Sequence, residues 1–218
     1  MKLRALLIST AMMSIAAVSA KAVNPSIPSP LSEDKILETA YYDTLTILST
    51  PNACSNFFGG ISVVESFNAL ISKVRKDYVS SAIGIRMSGT ITNFFNFKTK
   101  NQYRLFNKVS INGNGPFYRK KTTTTEPSVP SVGRFGANTK EARVLMFLHE
   151  LGHMVKGESG TWLLPDDGKD ESQSRDNTKK IEDVCGEQIK NLSKGDLVMN
   201  SDKGKFVAEK TAVAEPKP

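Results

Sequence analysis

The chain has 218 residues, 39% of them hydrophobic and 23% charged, which is enough for one domain with a proper hydrophobic core. The formal net charge is +7, and it falls to +5 (27 basic against 22 acidic residues) if Lys2 and Arg4 leave with a signal peptide. This charge is modest and scattered, and the compact cluster 119–121 is expected to be a solvated strand end. Nucleic acid is therefore not an expected partner.

The N-terminus has the pattern of an export signal. Residues 1–20 combine a basic start, an apolar stretch over 5–18 that is too short to span a bilayer, and small residues at a cleavage point. A proline- and serine-rich linker follows over 21–33, one domain is expected over 34–195, and residues 196–218 form a flexible tail. The mature protein is expected to be secreted or periplasmic, a monomer, and without stable insertion in a membrane.

Periodicity predicts an α+β domain. Apolar residues at helical spacing predict a helix over 36–45, stopped by Pro51, and a second helix over 63–74. Alternation predicts a half-buried strand over 83–92 and another strand over 103–111. The turn residues 112–115 predict a hairpin into a strand over 116–120.

Two further helices follow a surface loop over 122–132. Asn138 or Thr139 is expected to cap the first of them, with Glu141 closing a capping box on Asn138, and Gly157 is expected to end it. Ser174 is expected to cap the last helix, whose apolar residues recur at helical spacing up to residue 189.

The only two histidines, His149 and His153, lie four residues apart in the first of these helices, and Glu150 directly follows His149. Residues four apart share one helix face, so both imidazoles can reach a single ion. Zn²⁺ binds neutral imidazole nitrogens, and a catalytic zinc site has three protein ligands and one open position for water. Glu150 projects beside the pair, where its carboxylate can take a proton from that water. The HExxH pattern therefore predicts a catalytic Zn²⁺ site.

The third ligand has to be a carboxylate, because the chain has no third histidine. The loop after the helix can reverse at its glycines and return to the open end of the helix, where Asp167 lies beside a glycine in a turn. Asp167 is therefore the favoured third ligand. Asp166 is the nearest alternative, followed by Asp170 and Glu171.

Residues His149 to His153 resemble the HExxH zincin metallopeptidases, and the order of strands, helix and ligand loop is similar to a small zincin catalytic domain. The resemblance implies hydrolysis of a peptide or protein substrate, in which zinc-bound water is deprotonated by Glu150 and attacks a polarised carbonyl. Zincins often stabilise the oxyanion with a tyrosine or histidine downstream of the motif, and this chain has neither there. Tyr118 and Arg119 are the upstream candidates. The alternative is a non-catalytic secreted protein that binds zinc or a partner.

The two cysteines, Cys54 and Cys185, are expected to form a disulfide, because an even pair in an exported protein is usually oxidised. Two free buried thiols are the alternative. A role as zinc ligands is disfavoured by the absence of a CxxC spacing.

Overall fold

A computed structural model describes residues 33–79, 83–120, 128–168 and 170–194. The predicted signal peptide, nearly all of the linker 21–33 and the tail 196–218 lie outside these residues. The described part is a mixed α+β structure of five helices and one three-stranded sheet, in agreement with the predicted class. None of the helices described there is long and apolar enough to cross a membrane.

The elements follow one another as three helices, three strands and two helices. Their bounds are α1 Lys35–Ser49, α2 Ala53–Phe57, α3 Val63–Ser72, β1 Val74–Asp77, β2 Ile85–Phe95, β3 Gln102–Asn112, α4 Lys140–Met154 and α5 Glu171–Lys194. In the sheet β3 is central, pairing in parallel with β1 and in antiparallel with β2.

The core forms where α1, α3 and α5 pack around α4, which carries the two histidines. Phe147 of α4 is fully buried and makes edge-to-face contacts with Phe67 of α3, at 5.7 Å between ring centroids, and with Phe117, at 5.4 Å. Such aromatic pairs add to the free energy gained by burying their area. The helix that carries the histidines is thus fixed on several sides by the core.

The predicted disulfide is confirmed. Cys54 in α2 and Cys185 in α5 are bonded, and the bond joins residues 131 positions apart. Both cysteines are fully buried. The bond ties the N-terminal helices to the last helix, which forms one side of the candidate site.

The predicted strand over 116–120 is wrong. Residues 112–115 do form a turn, in which Gly115 N donates to Asn112 O at 3.0 Å, but the chain then enters the core instead of pairing with β3. Phe117 is buried against α4, and its carbonyl accepts from Arg143 Nε at 2.9 Å. Phe117 buries more apolar area against α4 than it would along a sheet edge, so burial prevents the predicted strand although the turn forms.

One of the two predicted caps of α4, Thr139, is confirmed, whereas the other ends predicted for α4 and α5 are wrong. Thr139 alone caps α4, accepting from Ala142 N, while Asn138 has a positive φ of 62° and forms no capping box with Glu141. The helix ends at Met154 and not at Gly157, because the next residues pair with the returning chain. The last helix begins at Glu171, three residues before Ser174, because Asp170 Oδ1 accepts from the N–H groups of Ser172 and Gln173.

Candidate metal centre

Three side chains bring one ligand atom each to a common point. His149 and His153, one turn apart on the buried face of α4, place their Nε2 atoms 3.1 Å from each other. Asp167 Oδ2 lies 3.1 Å from Nε2 of His149 and 3.5 Å from Nε2 of His153. The structure thus brings together the predicted residues His149, His153 and Asp167 in a group that could hold a metal ion.

These separations fit a tetrahedral site. Zinc bonds of about 2.0–2.2 Å to nitrogen and oxygen place neighbouring ligand atoms of a regular tetrahedron about 3.3–3.5 Å apart. The three observed distances of 3.1, 3.1 and 3.5 Å lie close to that range. The backbone and rotamers therefore already hold the ligand atoms at the spacing that one small cation requires.

Thr178 of α5 fixes the orientation and tautomer of His149. The Thr178 hydroxyl donates its hydrogen to the carbonyl of Ser174 at 2.9 Å, so it can only accept from His149 Nδ1, which lies 3.0 Å away. Nδ1 of His149 therefore carries the hydrogen, and the Nε2 of the neutral ring presents a lone pair. That lone pair faces the Asp167 carboxylate, and two acceptors at 3.1 Å are attractive only with a proton or a cation between them.

The electrostatics favour the protonation states that bind a metal. Burial lowers the pKa of His149, the Asp167 carboxylate beside Nε2 opposes this shift, and the charge of His153 lowers the pKa further. Burial opposes ionisation of Asp167, but the contacts of its carboxylate with both histidines outweigh burial and hold the pKa of Asp167 well below its usual range. Neutral imidazoles and an ionised carboxylate are the forms that ligate zinc.

Glu150 lies next to this group without belonging to it. Its side chain is half-buried and lines a cleft that His149 also lines. Burial, and then the negative charge of Asp167, raise the pKa of Glu150 well above its usual range. A cation held by the three ligands would offset both effects. Glu150 thus places a carboxyl group in the cleft beside the candidate metal centre, and it is not one of the three candidate ligands.

The chain after α4 folds straight back to deliver Asp167. Leu163 N donates to Val155 O and Leu164 N donates to Gly152 O, both at 3.0 Å. A Cβ on Gly152 would lie 2.6 Å from Leu164 Cδ1, so the glycine leaves the space that the Leu164 side chain fills. Asn177 of α5 holds the next residue through a hydrogen bond from Nδ2 to Pro165 O at 3.0 Å.

Arg104 of β3 fastens the same loop from the other side. It is buried, its Nε donates to the carbonyl of His153 at 2.7 Å, and its two terminal nitrogens donate to the Asp166 carboxylate. Its guanidinium carbon lies 4.5 Å from the ring centroid of Trp162 and 5.4 Å from that of Phe106. One side chain therefore joins the end of the histidine helix to the residue that precedes the third ligand.

The cleft beside the site has a volume of about 910 Å³. Its apolar lining comes from the start of β2, the chain before α4 and α4 itself (Ile83, Ile85, Pro116, Pro130, Val132, Met146). Its charged lining comes largely from α5 (Glu171, Arg175, Asp176, Lys179, Glu182, Asp183). The cleft therefore combines an apolar surface with side chains of both charges.

The alternative third ligands have other partners. Asp166 pairs with Arg104, Asp170 caps α5, and Glu171 is exposed in the first turn of α5 with Arg175 as its neighbour at 3.7 Å. Among the carboxylates of the described ranges, Asp167 is the one grouped with the two histidines.

Neither predicted oxyanion donor lines the cleft. The hydroxyl of Tyr118 donates to Asp34 Oδ2 at 2.7 Å, at the N-terminus of α1. Burial and this hydrogen bond raise the pKa of Tyr118. Tyr118 thus connects α1 to the chain beyond the sheet, and Arg119, its neighbour, is also absent from the cleft lining.

Two residues of the site have weak sequence signals. Thr178 shares a helical face with Ile181 and Cys185, so periodicity could have placed it on the buried side of α5. Arg104 stands between two apolar residues of a strand, a pattern typical of any solvated side chain. No protein-family model, curated protein or solved structure matches this chain. What the site can do chemically is therefore inferred from its residues and the distances between them.

Proposed function

We propose that this protein is an exported zinc-dependent peptidase of the zincin type. The observation that carries the proposal is the convergence of His149, His153 and Asp167 beside a cleft-facing Glu150 that is not one of the three. A structural zinc site is closed by four protein ligands, whereas a catalytic one has three and keeps a position open. The disulfide supports export, because such bonds persist in oxidising compartments.

The proposed mechanism gives separate roles to the candidate metal ligands, to Glu150 and to the cleft lining. His149, His153 and Asp167 would hold Zn²⁺, which when bound acts as a Lewis acid and lowers the pKa of water. Glu150 takes the proton of the attacking water and returns it to the departing amine. The apolar lining of the cleft, with Ile85 and Met146, binds side chains of the peptide. Arg175 and Lys179, two of the basic side chains that line the cleft, are the candidates to stabilise the oxyanion.

The rival function is non-catalytic binding of zinc or of a partner. It requires the metal site but gives no role to Glu150. Burying a carboxyl group beside Asp167 costs free energy, as the raised pKa of Glu150 indicates, and a binding protein has no reason to bear that cost.

The decisive experiment replaces Glu150. Glu150→Gln should keep about one zinc per chain and lose hydrolysis by several orders of magnitude. The amide has the same size and can form hydrogen bonds, but it cannot accept the proton of the water. Zinc content is measured by elemental analysis, and hydrolysis by digestion of a broad peptide library. Glu171→Gln, which changes another carboxylate lining the same cleft, is the matched control and should keep both properties.

Equal turnover by Glu150→Gln on a peptide that the wild type cuts would refute the mechanism. Zinc binding without any hydrolysis by the wild type would favour the rival function. Full zinc retention in both His149→Ala and His153→Ala would refute the site itself.

A further inference from the structure

The positive charge of the chain is concentrated in one segment. Residues 78–125 contain no aspartate or glutamate and eight basic residues (Arg86, Lys98, Lys100, Arg104, Lys108, Arg119, Lys120, Lys121). The remaining residues contain 21 basic and 22 acidic side chains, a net charge of −1, so this segment accounts for the whole excess of +7. The sequence expectation of scattered charge is therefore too coarse, because the excess belongs to β2, β3 and the chain that follows them.

The turn between β2 and β3 also exposes several large apolar side chains. Phe97 is 78% exposed, and Phe94 and Phe95, at the end of β2, are 39% and 46% exposed. Phe95 and Phe97 pack edge to face with their ring centroids 4.8 Å apart. Lys98 and Lys100 lie in the same turn. We call residues 94–100 the hairpin tip.

The hairpin tip is firmly held, so its exposed rings are not the result of a loose turn. Asn96 N donates to Asn101 O at 2.9 Å, and the Asn96 side chain accepts from the backbone N–H groups of Lys98 and Thr99. On the side that faces α3, Asn96 Nδ2 donates to Glu65 Oε2 at 2.6 Å and Asn101 Nδ2 donates to Ser66 Oγ at 2.9 Å. Glu65 therefore contacts the hairpin tip on the side that faces α3. The two exposed phenylalanines are held in place by these hydrogen bonds before any partner binds.

We propose that the hairpin tip docks onto a membrane surface that contains anionic phospholipids. Phe95 and Phe97 enter the boundary between headgroups and acyl chains, and Lys98 and Lys100 remain among the phosphates. Anionic lipid attracts each basic side chain near the surface, and the segment 78–125 has no acid to oppose this attraction. The contact is peripheral, and it goes beyond the peptidase activity proposed above.

The rings favour a lipid surface over a polyanionic chain such as nucleic acid. Binding of single strands uses open aromatic faces on which successive bases stack. Here Phe95 and Phe97 meet edge to face, so the edge of one ring covers part of the face of the other, and neither ring offers a hydrogen-bonding group. Burial in an apolar boundary, by contrast, requires only exposed apolar area.

The test measures partition of the secreted protein, with its N-terminus identified by mass spectrometry, onto sedimentable vesicles. Wild type should bind vesicles of phosphatidylglycerol and phosphatidylcholine and should bind much more weakly to phosphatidylcholine alone. Phe95→Ser/Phe97→Ser should lower the partition coefficient at least tenfold, because two apolar rings no longer leave water. Lys98→Gln/Lys100→Gln should lower it about twenty-five-fold on the anionic vesicles, at about fivefold for each lysine.

The matched control changes one exposed apolar residue and one exposed lysine elsewhere. Ile36→Ser/Lys35→Gln lies on α1 and should bind as the wild type does. Far-ultraviolet circular dichroism verifies that every variant is folded. The reference protein and all variants carry Glu150→Gln, so hydrolysis does not affect the measurement. A failure of the membrane proposal would therefore not bear on the proposed peptidase activity.

Three outcomes would overturn the proposal. They are no binding to anionic vesicles, equal loss in the control and in the hairpin-tip variants, and binding to single-stranded DNA or an acidic polysaccharide without binding to vesicles. The last result would assign the basic segment to a polyanion instead.

Discussion

At the scale of single residues, Thr178 decides which nitrogen of His149 can bind a metal. Its hydroxyl hydrogen is used by the carbonyl of Ser174, so it accepts from Nδ1 and leaves the lone pair on Nε2, which faces Asp167. A hydrogen-bond partner behind a ligating histidine fixes the ring and raises its basicity.

We therefore expect Thr178→Val to bind zinc about 10–100-fold more weakly than the wild type, as is usual when such a partner is lost. Thr178→Ser, which keeps the hydroxyl, is the matched control and should bind as the wild type does. Zinc affinity is measured by competition with a chromophoric chelator. Equal affinity of the valine and serine variants would show that Thr178 does not orient His149.

The sequence predicts the parts of the site that depend on local spacing. His149 and His153 could be assigned because an interval of four on a helix determines their separation. Asp167 followed because the histidines were exhausted and a glycine-containing turn lay nearby. The partner of His149 could not be assigned, because it lies 29 residues along the chain and its position depends on how α5 packs against α4.

At the scale of elements, the sequence predicts the four longer helices and the two long strands, but not the short helix α2 or the pairing of the sheet. β1 has one buried residue, Val74, and its parallel pairing with β3 joins residues 35 positions apart, so no local pattern indicates it. The predicted hairpin after residue 115 failed for a related reason. The turn residues predict only that the chain reverses. Burial of Phe117 against α4 then contributes more free energy than an added strand would.

Residues 155–167, which we call the ligand loop, return along α4 and carry Asp167, and Arg104 links this loop to the sheet. Removal of this side chain leaves the His153 carbonyl and Asp166 without their donor and frees the loop to move. Arg104→Ala should therefore weaken zinc binding about 10–100-fold. Asp167→Ala should lose the most affinity among the carboxylates 166, 167, 170 and 171, because it removes a ligand.

A double-mutant cycle separates this link from a general loss of stability. If Arg104 acts through Asp166, then the double variant Arg104→Ala/Asp166→Ala should lose less affinity than the sum of the single variants. Arg86→Ala, an exposed arginine of β2 on the same sheet, is the control and should bind zinc as the wild type does. Additive losses for Arg104 and Asp166 would contradict the link.

At the scale of the whole molecule, the disulfide and the candidate metal centre both depend on how α5 packs against the rest of the protein. The Cys54–Cys185 bond joins α2 to α5, and α5 provides Thr178 for His149 and Asn177 for the ligand loop. The cross-link limits the unfolded chain, while a metal ion would bind only the folded one. Both therefore stabilise the packing of α5 against the core, by separate mechanisms.

This separation predicts that zinc can offset part of the loss of the disulfide. Cys54→Ala/Cys185→Ala should lower the free energy of unfolding by about 5 kcal/mol, because a loop of 131 residues is no longer closed in the unfolded state. Free zinc at one hundred times its dissociation constant should raise the free energy of unfolding of this variant by about 2.7 kcal/mol, because zinc binds only the folded chain. Urea unfolding is followed by circular dichroism and by fluorescence of Trp162, the single tryptophan, which lies in the ligand loop. Adding His153→Ala to the same background should abolish the effect of zinc, and equal stabilisation with and without His153 would place the bound metal elsewhere.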